Sequence, residues 1–185
     1  MRLIRDQARD TQEMHTLMKL LGAIVLAVLS IHPVQAQGER RGSEFSEWRS
    51  FFIPNFGTKV EYPAGIFSVS EGKSEIGIGE RFSTADGRAI LSIYSRANEG
   101  GETPSAYLRN NLRMPRSALE YERVARSFFA ISTVTDGTIY YSRCNFSWNT
   151  GGAVHCFDLT YPAIEKNAWD YVVTRISRSL RPLQN

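Results

Sequence analysis

Residues 140–156, YYSRCNFSWNTGGAVHC, hold both cysteines of the chain, Cys144 and Cys156, and its only histidine beyond residue 36, His155. Such a set could serve as a disulfide, a metal centre or a histidine-assisted active site. Neighbouring residues of a strand project to opposite faces, so His155 and Cys156 are poorly placed to ligate one ion. A structural zinc site takes four ligands, more than this stretch supplies, and no metal or cofactor is expected. The Cys-x-x-Cys spacing of a thiol redox motif is absent from the sequence. A hairpin turning through Asn149–Gly151, with Trp148 opposite Gly152, sets Cys144 across from Cys156. Directly facing residues stand about 4.5–5.5 Å apart at Cα, within disulfide reach. A Cys144–Cys156 disulfide is the expectation, and two buried free thiols are the alternative.

The same register puts His155 opposite Asn145, with Arg143 two residues along on the same face. A two-residue turn at Asp136-Gly137 adds Phe128. Phe128, Arg143, Asn145 and His155 thus form a candidate ligand patch of a kind that holds a carboxylate or phosphate. The plainer reading is a His and an Arg satisfied by the chain or by water at a sheet surface. No catalytic residue is assigned. A hydrolase built on this sequence would use His155 or a carboxylate such as Asp158, which the register sets opposite Ser142. Gly72-Lys73-Ser74 lacks the earlier glycine of a phosphate loop, Phe67 standing in its place. Gly77-Ile78-Gly79 is only a two-glycine match.

The elements that must carry these residues can be read from turn and cap signals. Asp86-Gly87 and Asp136-Gly137 each sit between apolar runs, and Asp-Gly favours tight hairpins because both central residues reach positive φ. A helix is expected over 103–114, with Thr103 as its cap, Pro104 in its first turn and Pro115 as its stop. A closing helix is expected over 162–180, its apolar stripe formed by Ile164, Ala168, Trp169, Val172, Val173, Ile176 and Leu180. Trp48, Phe51, Phe52 and Phe56 are either a docking surface or core and edge packing. The order is strands, helix, three long strands, helix. It gives an α+β fold, a curved antiparallel sheet built from hairpins and packed with two main helices.

The chain of 185 residues has room for one ordinary domain, and 42% hydrophobic and 22% charged residues make it globular. A net charge of +3, with the basic residues dispersed, gives no nucleic-acid surface. Leu20–Ile31 is a nearly unbroken apolar run. As a helix it reaches about 18 Å, short of a ~30 Å hydrocarbon core. Val34-Gln35-Ala36 offers small residues for signal cleavage. The expected organisation is a signal peptide over 1–36, a flexible leader over 37–47 and a single globular domain over 48–185. Asp6, Asp10 and Glu13 are unusual ahead of a signal core, so Met14 and Met18 compete with Met1 as the start. These features imply a periplasmic or secreted protein with no stable membrane anchor after cleavage.

Three stretches, VEYPAGIFSV (60–69), DGRAILSIYS (86–95) and FDLTYPAIEKNAWDYVVTRISRSLRP (157–182), together resemble the PsbP-like group. A strand ending in Tyr-Pro before a closing amphipathic helix is the feature they share with it. The whole is also similar to exported proteins of α-proteobacteria. The resemblance implies an α/β/α sandwich and a non-catalytic binding or assembly module of the bacterial envelope, partnered by a protein or another envelope component. A small periplasmic hydrolase is the alternative.

Overall fold

The structure, a computed structural model, describes residues 47–112, 114–148 and 152–183. The expected signal peptide and all but the last residue of the leader lie outside the described residues. Among the described residues, ten strands and two α-helices follow in the order β1 (Trp48–Ile53), β2 (Thr58–Pro63), β3 (Val69–Lys73), β4 (Ile78–Ser83), β5 (Ile90–Ala97), α1 (Pro104–Asn111), β6 (Tyr121–Val124), β7 (Phe128–Thr135), β8 (Thr138–Ser147), β9 (Ala153–Pro162), α2 (Lys166–Ser179) and β10 (Arg181–Pro182). A seven-stranded sheet runs β3-β4-β5-β9-β8-β7-β6 and a three-stranded sheet runs β1-β2-β10. Every pairing is antiparallel. The sequence reading anticipated one sheet. The second arises because β1 folds back on β2 and the chain end after α2 adds β10 to β2.

Side-chain alternation divides the large sheet into two buried faces. One face carries Leu91, Ile93, Phe157 and Leu159, which pack with Val60 of β2 and with Trp169, Val172 and Ile176 of α2. The other carries Tyr94, Phe129, Ile131, Phe146 and Val154, which pack with Tyr107 and Leu108 of α1. Burial on both faces explains why β9 is buried along nearly its whole length.

The turn at Asp136-Gly137 forms as expected. Asp136 has φ 49° and Gly137 φ 73°, and Thr135 pairs with Thr138. At Asp86-Gly87 a hairpin forms with a wider loop, because the last pair is Ser83 with Ile90. There Asp86 stays at negative φ and its carboxylate accepts from Thr84 Oγ1 (2.6 Å), from the Arg88 backbone N–H (3.1 Å) and from Arg88 Nε (2.7 Å). The side chain organises this loop in place of a two-residue turn. These same donors hold the Asp86 carboxyl far below the usual carboxylate range, the Thr84 bond most of all.

Thr103 caps α1, its hydroxyl accepting from the Ala106 N–H at 3.2 Å. The helix ends at Asn111, ahead of Pro115. The closing helix also differs at its start. Residues Ala163–Glu165 form a 3-10 turn before α2 begins at Lys166. That tighter winding breaks the phase of the stripe, and Ile164 is 95% exposed. Ala168 is exposed too, leaving Trp169, Val172, Val173, Ile176 and Leu180 as the buried set.

The glycines of Gly77-Ile78-Gly79 have a packing role. A Cβ on Gly79 would fall 1.9 Å from the Ile93 carbonyl oxygen, and one on Gly77 would fall 2.7 Å from that of Ser95. Their lack of a side chain lets this stretch lie close against β5 beside the Tyr94 ring.

Candidate functional site

The register around the cysteines is the one the sequence implies. Cys144 pairs with Cys156, Asn145 with His155 and Phe128 with Asn145. The two sulfurs stand at bonding distance, 2.04 Å, and the Cα atoms 4.1 Å apart. Both cysteines are buried on the α1 face of the sheet.

His155 points the other way. It has no exposed surface and sits between β2 and β8. Its Nδ1 lies 2.6 Å from Thr58 Oγ1, and its Nε2 lies 3.1 Å from Ser147 Oγ. Thr58 Oγ1 in turn meets Ser95 Oγ at 2.7 Å. A neutral imidazole offers one donor and one acceptor, so the two hydroxyls satisfy the ring. Burial pushes the His155 pKa down to about 4, which keeps the ring neutral near pH 7.

The remaining members of the candidate patch are brought together and are tied to one another. The Arg143 guanidinium lies over the Phe128 ring at 4.1 Å. Its Nε donates to Asn145 Oδ1 at 3.1 Å, and Asn145 Nδ2 donates to the Leu180 carbonyl at 2.7 Å. Asn145, itself held by Arg143, thereby ties β8 to the C-terminal end of α2. His155, which solvent does not reach, takes no part in an accessible surface.

The aromatic segment is largely packed. Trp48 meets Tyr171 edge-on at 6.2 Å beneath the Arg175 guanidinium at 4.1 Å. Phe51 packs against Tyr62 and Phe82. Trp48, Phe51 and Phe56 all lie partly buried against the main core. Phe52, 48% exposed, lies under the Lys59 ammonium at 5.5 Å.

A concave feature lined mainly by apolar and aromatic side chains lies elsewhere, between α1 and the large sheet. A cavity of about 340 Å³ opens there. That is the lower end of the range for small-molecule sites, about 300–1,000 Å³. Tyr94, Tyr107, Phe129 and Tyr140 supply aromatic walls, and Leu108 and Ile131 supply aliphatic ones. Ser142, Cys144 and Asp158 contribute from β8 and β9, with Arg96 and Asn111 adding polar groups. Tyr94 donates its hydroxyl to Asp158 Oδ2 at 3.3 Å. Burial, then the Asp158 carboxylate, then Tyr140 and Tyr107 drive the Tyr94 phenol far above its ordinary range. Tyr107 is raised as well, by burial foremost and against the pull of Arg96.

Sequence reasoning placed Asp158 opposite Ser142, and the structure does the same. It did not find Tyr94, Arg96, Tyr107 or Tyr140. A signal existed for Tyr140, because alternation along β8 puts it on the face of Ser142 and Cys144. The other three come from β5 and α1, which reach this face by pairings between distant segments.

No protein-family profile and no curated protein matches the chain. Among solved structures, it is similar to the solution structure of cyanobacterial PsbP (CyanoP) from Synechocystis sp. PCC 6803. The identity is 13% and the TM-score 0.55, over 82% of this chain and 100% of that one. A crystal structure from Bacteroides thetaiotaomicron VPI-5482 also matches at 13% identity, over 76% of this chain and 43% of that one. Its TM-score of 0.34 is too low to indicate a common fold. The match to cyanobacterial PsbP, which takes in the whole of that chain, concerns the fold. This chain has a PsbP-like fold.

Proposed function

We propose that the protein is an exported, non-catalytic binding module of the bacterial envelope, and that it binds a small, mainly apolar component in the cavity under α1. The observation that carries the reading is the separation of the two sheet faces. The histidine is sealed on one face and satisfied by hydroxyls. The cavity on the other face is aromatic and aliphatic, with a few polar groups, the usual composition of a ligand site. The test uses the neutral dye Nile red. Protein purified from the envelope fraction should give a saturable, blue-shifted fluorescence. Leu108→Trp, which fills the cavity from α1, should abolish that signal without lowering the melting temperature much. Unchanged dye binding in Leu108→Trp would refute the cavity as the site.

Export rests on the apolar run Leu20–Ile31 and on Val34-Gln35-Ala36. The bonding distance of Cys144 and Cys156 accords with an oxidising compartment. N-terminal sequencing of the envelope form should begin at Gln37 or at its cyclised form. Full-length chain confined to the cytosol would contradict export.

A small hydrolase is favoured by one observation, that Asp158 stands in a cavity of ligand size. Glycoside hydrolysis by carboxylates uses a pair in most such enzymes. Among the described residues that line the cavity, Asp158 is the single carboxylate, and the binding reading is therefore preferred.

A further inference from the structure

We infer that the ligand of the cavity under α1 is a monoamine carried on an apolar or aromatic body, with its ammonium group at Asp158; this rests on the reading of that cavity as the binding site. Asp158 is 9% exposed, and its carboxylate stands among Tyr94, Tyr107 and Tyr140. A carboxyl acceptor in such apolar surroundings makes its strongest hydrogen bonds to a cationic donor. The tyrosine rings add to the preference, since the face of an aromatic ring attracts cations. One ring face is already used in this way, with the Arg96 guanidinium 5.6 Å from the Tyr107 centroid.

The position of Arg96 sets the polarity of the site. Asp158 pairs with Ser92 and Arg96 pairs with Val154, so the two charges are four residues apart along adjacent strands. That is about 13 Å at Cα. Asp158 is buried and Arg96 exposed, so the cavity holds a carboxyl group within and a guanidinium at its rim. A dication long enough to span that distance would bring its second charge to Arg96, and a shorter one would leave it against the apolar wall of Leu108, Phe129 and Ile131. An anion seated deep would meet Asp158. A single ammonium at Asp158, with its body along Leu108, Phe129 and Ile131, opposes neither charge and fills the apolar wall. The Tyr94 hydroxyl, already directed at Asp158, fixes the carboxylate that receives it.

Calorimetric titration of the envelope-purified protein with phenethylamine, 2-phenylethanol and 3-phenylpropionate tests this. The three probes share a phenyl body and differ in the head group. The amine should bind about tenfold or more tighter than the alcohol, as charge-assisted hydrogen bonds imply. It should also exceed the acid, and in Asp158→Asn it should fall to the level of the alcohol. Equal affinity for amine and alcohol would overturn the inference and leave the cavity reading intact. Preference for the acid, lost in Arg96→Gln, would replace it with an anion site at the rim. Failure of all three probes while Nile red binds would overturn the inference alone, and failure of Nile red as well would take the cavity reading with it. The comparison of amine with alcohol needs no variant, so it decides the matter even if Asp158→Asn does not fold.

Discussion

Replacing both cysteines, Cys144→Ala with Cys156→Ala, is expected to lower the melting temperature by about 6–10 °C. The two residues face each other across β8 and β9, twelve positions apart in sequence, with the sulfurs at 2.04 Å. A cross-link closing so short a loop removes about 3 kcal/mol of unfolded-state freedom in the chain-entropy description. Unfolding entropy of about 2 cal/mol/K per residue converts 2–3 kcal/mol into that shift for a domain of this size. Cys144 also lines the cavity, so the double variant should weaken Nile red binding together with stability. Peptide mapping under non-reducing conditions should recover the two cysteines as one linked species. Two freely alkylated thiols in natively exported protein, or an unchanged melting temperature, would contradict a structural disulfide.

His155 predicts an acid-dependent loss of stability. Its folded pKa is lowered by burial from 6.5 to about 4. The unfolded chain therefore binds a proton before the folded one does. Stability from this group is full above pH 6.5 and is lost progressively as the pH falls toward 4, with little further change below. The total is about 3 kcal/mol, from 1.36 kcal/mol per pKa unit. Urea unfolding of the wild type and of His155→Gln, at pH 7.5 and at pH 4.5, measures it. The carboxylates titrate in both proteins, so the difference between the two isolates His155. At pH 7.5 the variant should be the less stable, since Thr58 and Ser147 lose well-placed partners. At pH 4.5 the gap should close or reverse. A gap that stays constant with pH would show that His155 titrates alike in the folded and unfolded chains, contrary to a ring held neutral by burial.

Much of the sheet was legible because local signals fix it. Asp136-Gly137 dictates a two-residue turn, and the turn dictates that Phe128 meets Asn145. The register of the next hairpin follows from the glycines before Ala153, and it carries the cysteine pair. Thr103-Pro104 marks the start of α1 for reasons confined to one helical turn. The less legible features depend on contacts between distant segments. The pairing of Ser95 with His155 joins parts of the chain far apart in sequence, and the packing of β2 on that pair adds Thr58, which meets both Ser95 and His155. The register under the predicted patch, Phe128 with Asn145 and Asn145 with His155, forms as the sequence implies. What the sequence could not supply was the cover over them, namely β2 and the end of α2. The cavity was missed for the same reason, since Tyr94, Tyr107 and Asp158 become neighbours only when β5, α1 and β9 pack.

The most direct test of the account is to locate a bound apolar probe. In 15N chemical-shift mapping with ethylbenzene, the account predicts saturable shifts at the amides of Tyr94, Leu108, Phe129 and Ser142, with β1 and β2 unmoved. Shifts clustered around Phe52 and Lys59, with none at those four amides, would contradict it and return the exposed edge of β1 as the binding surface.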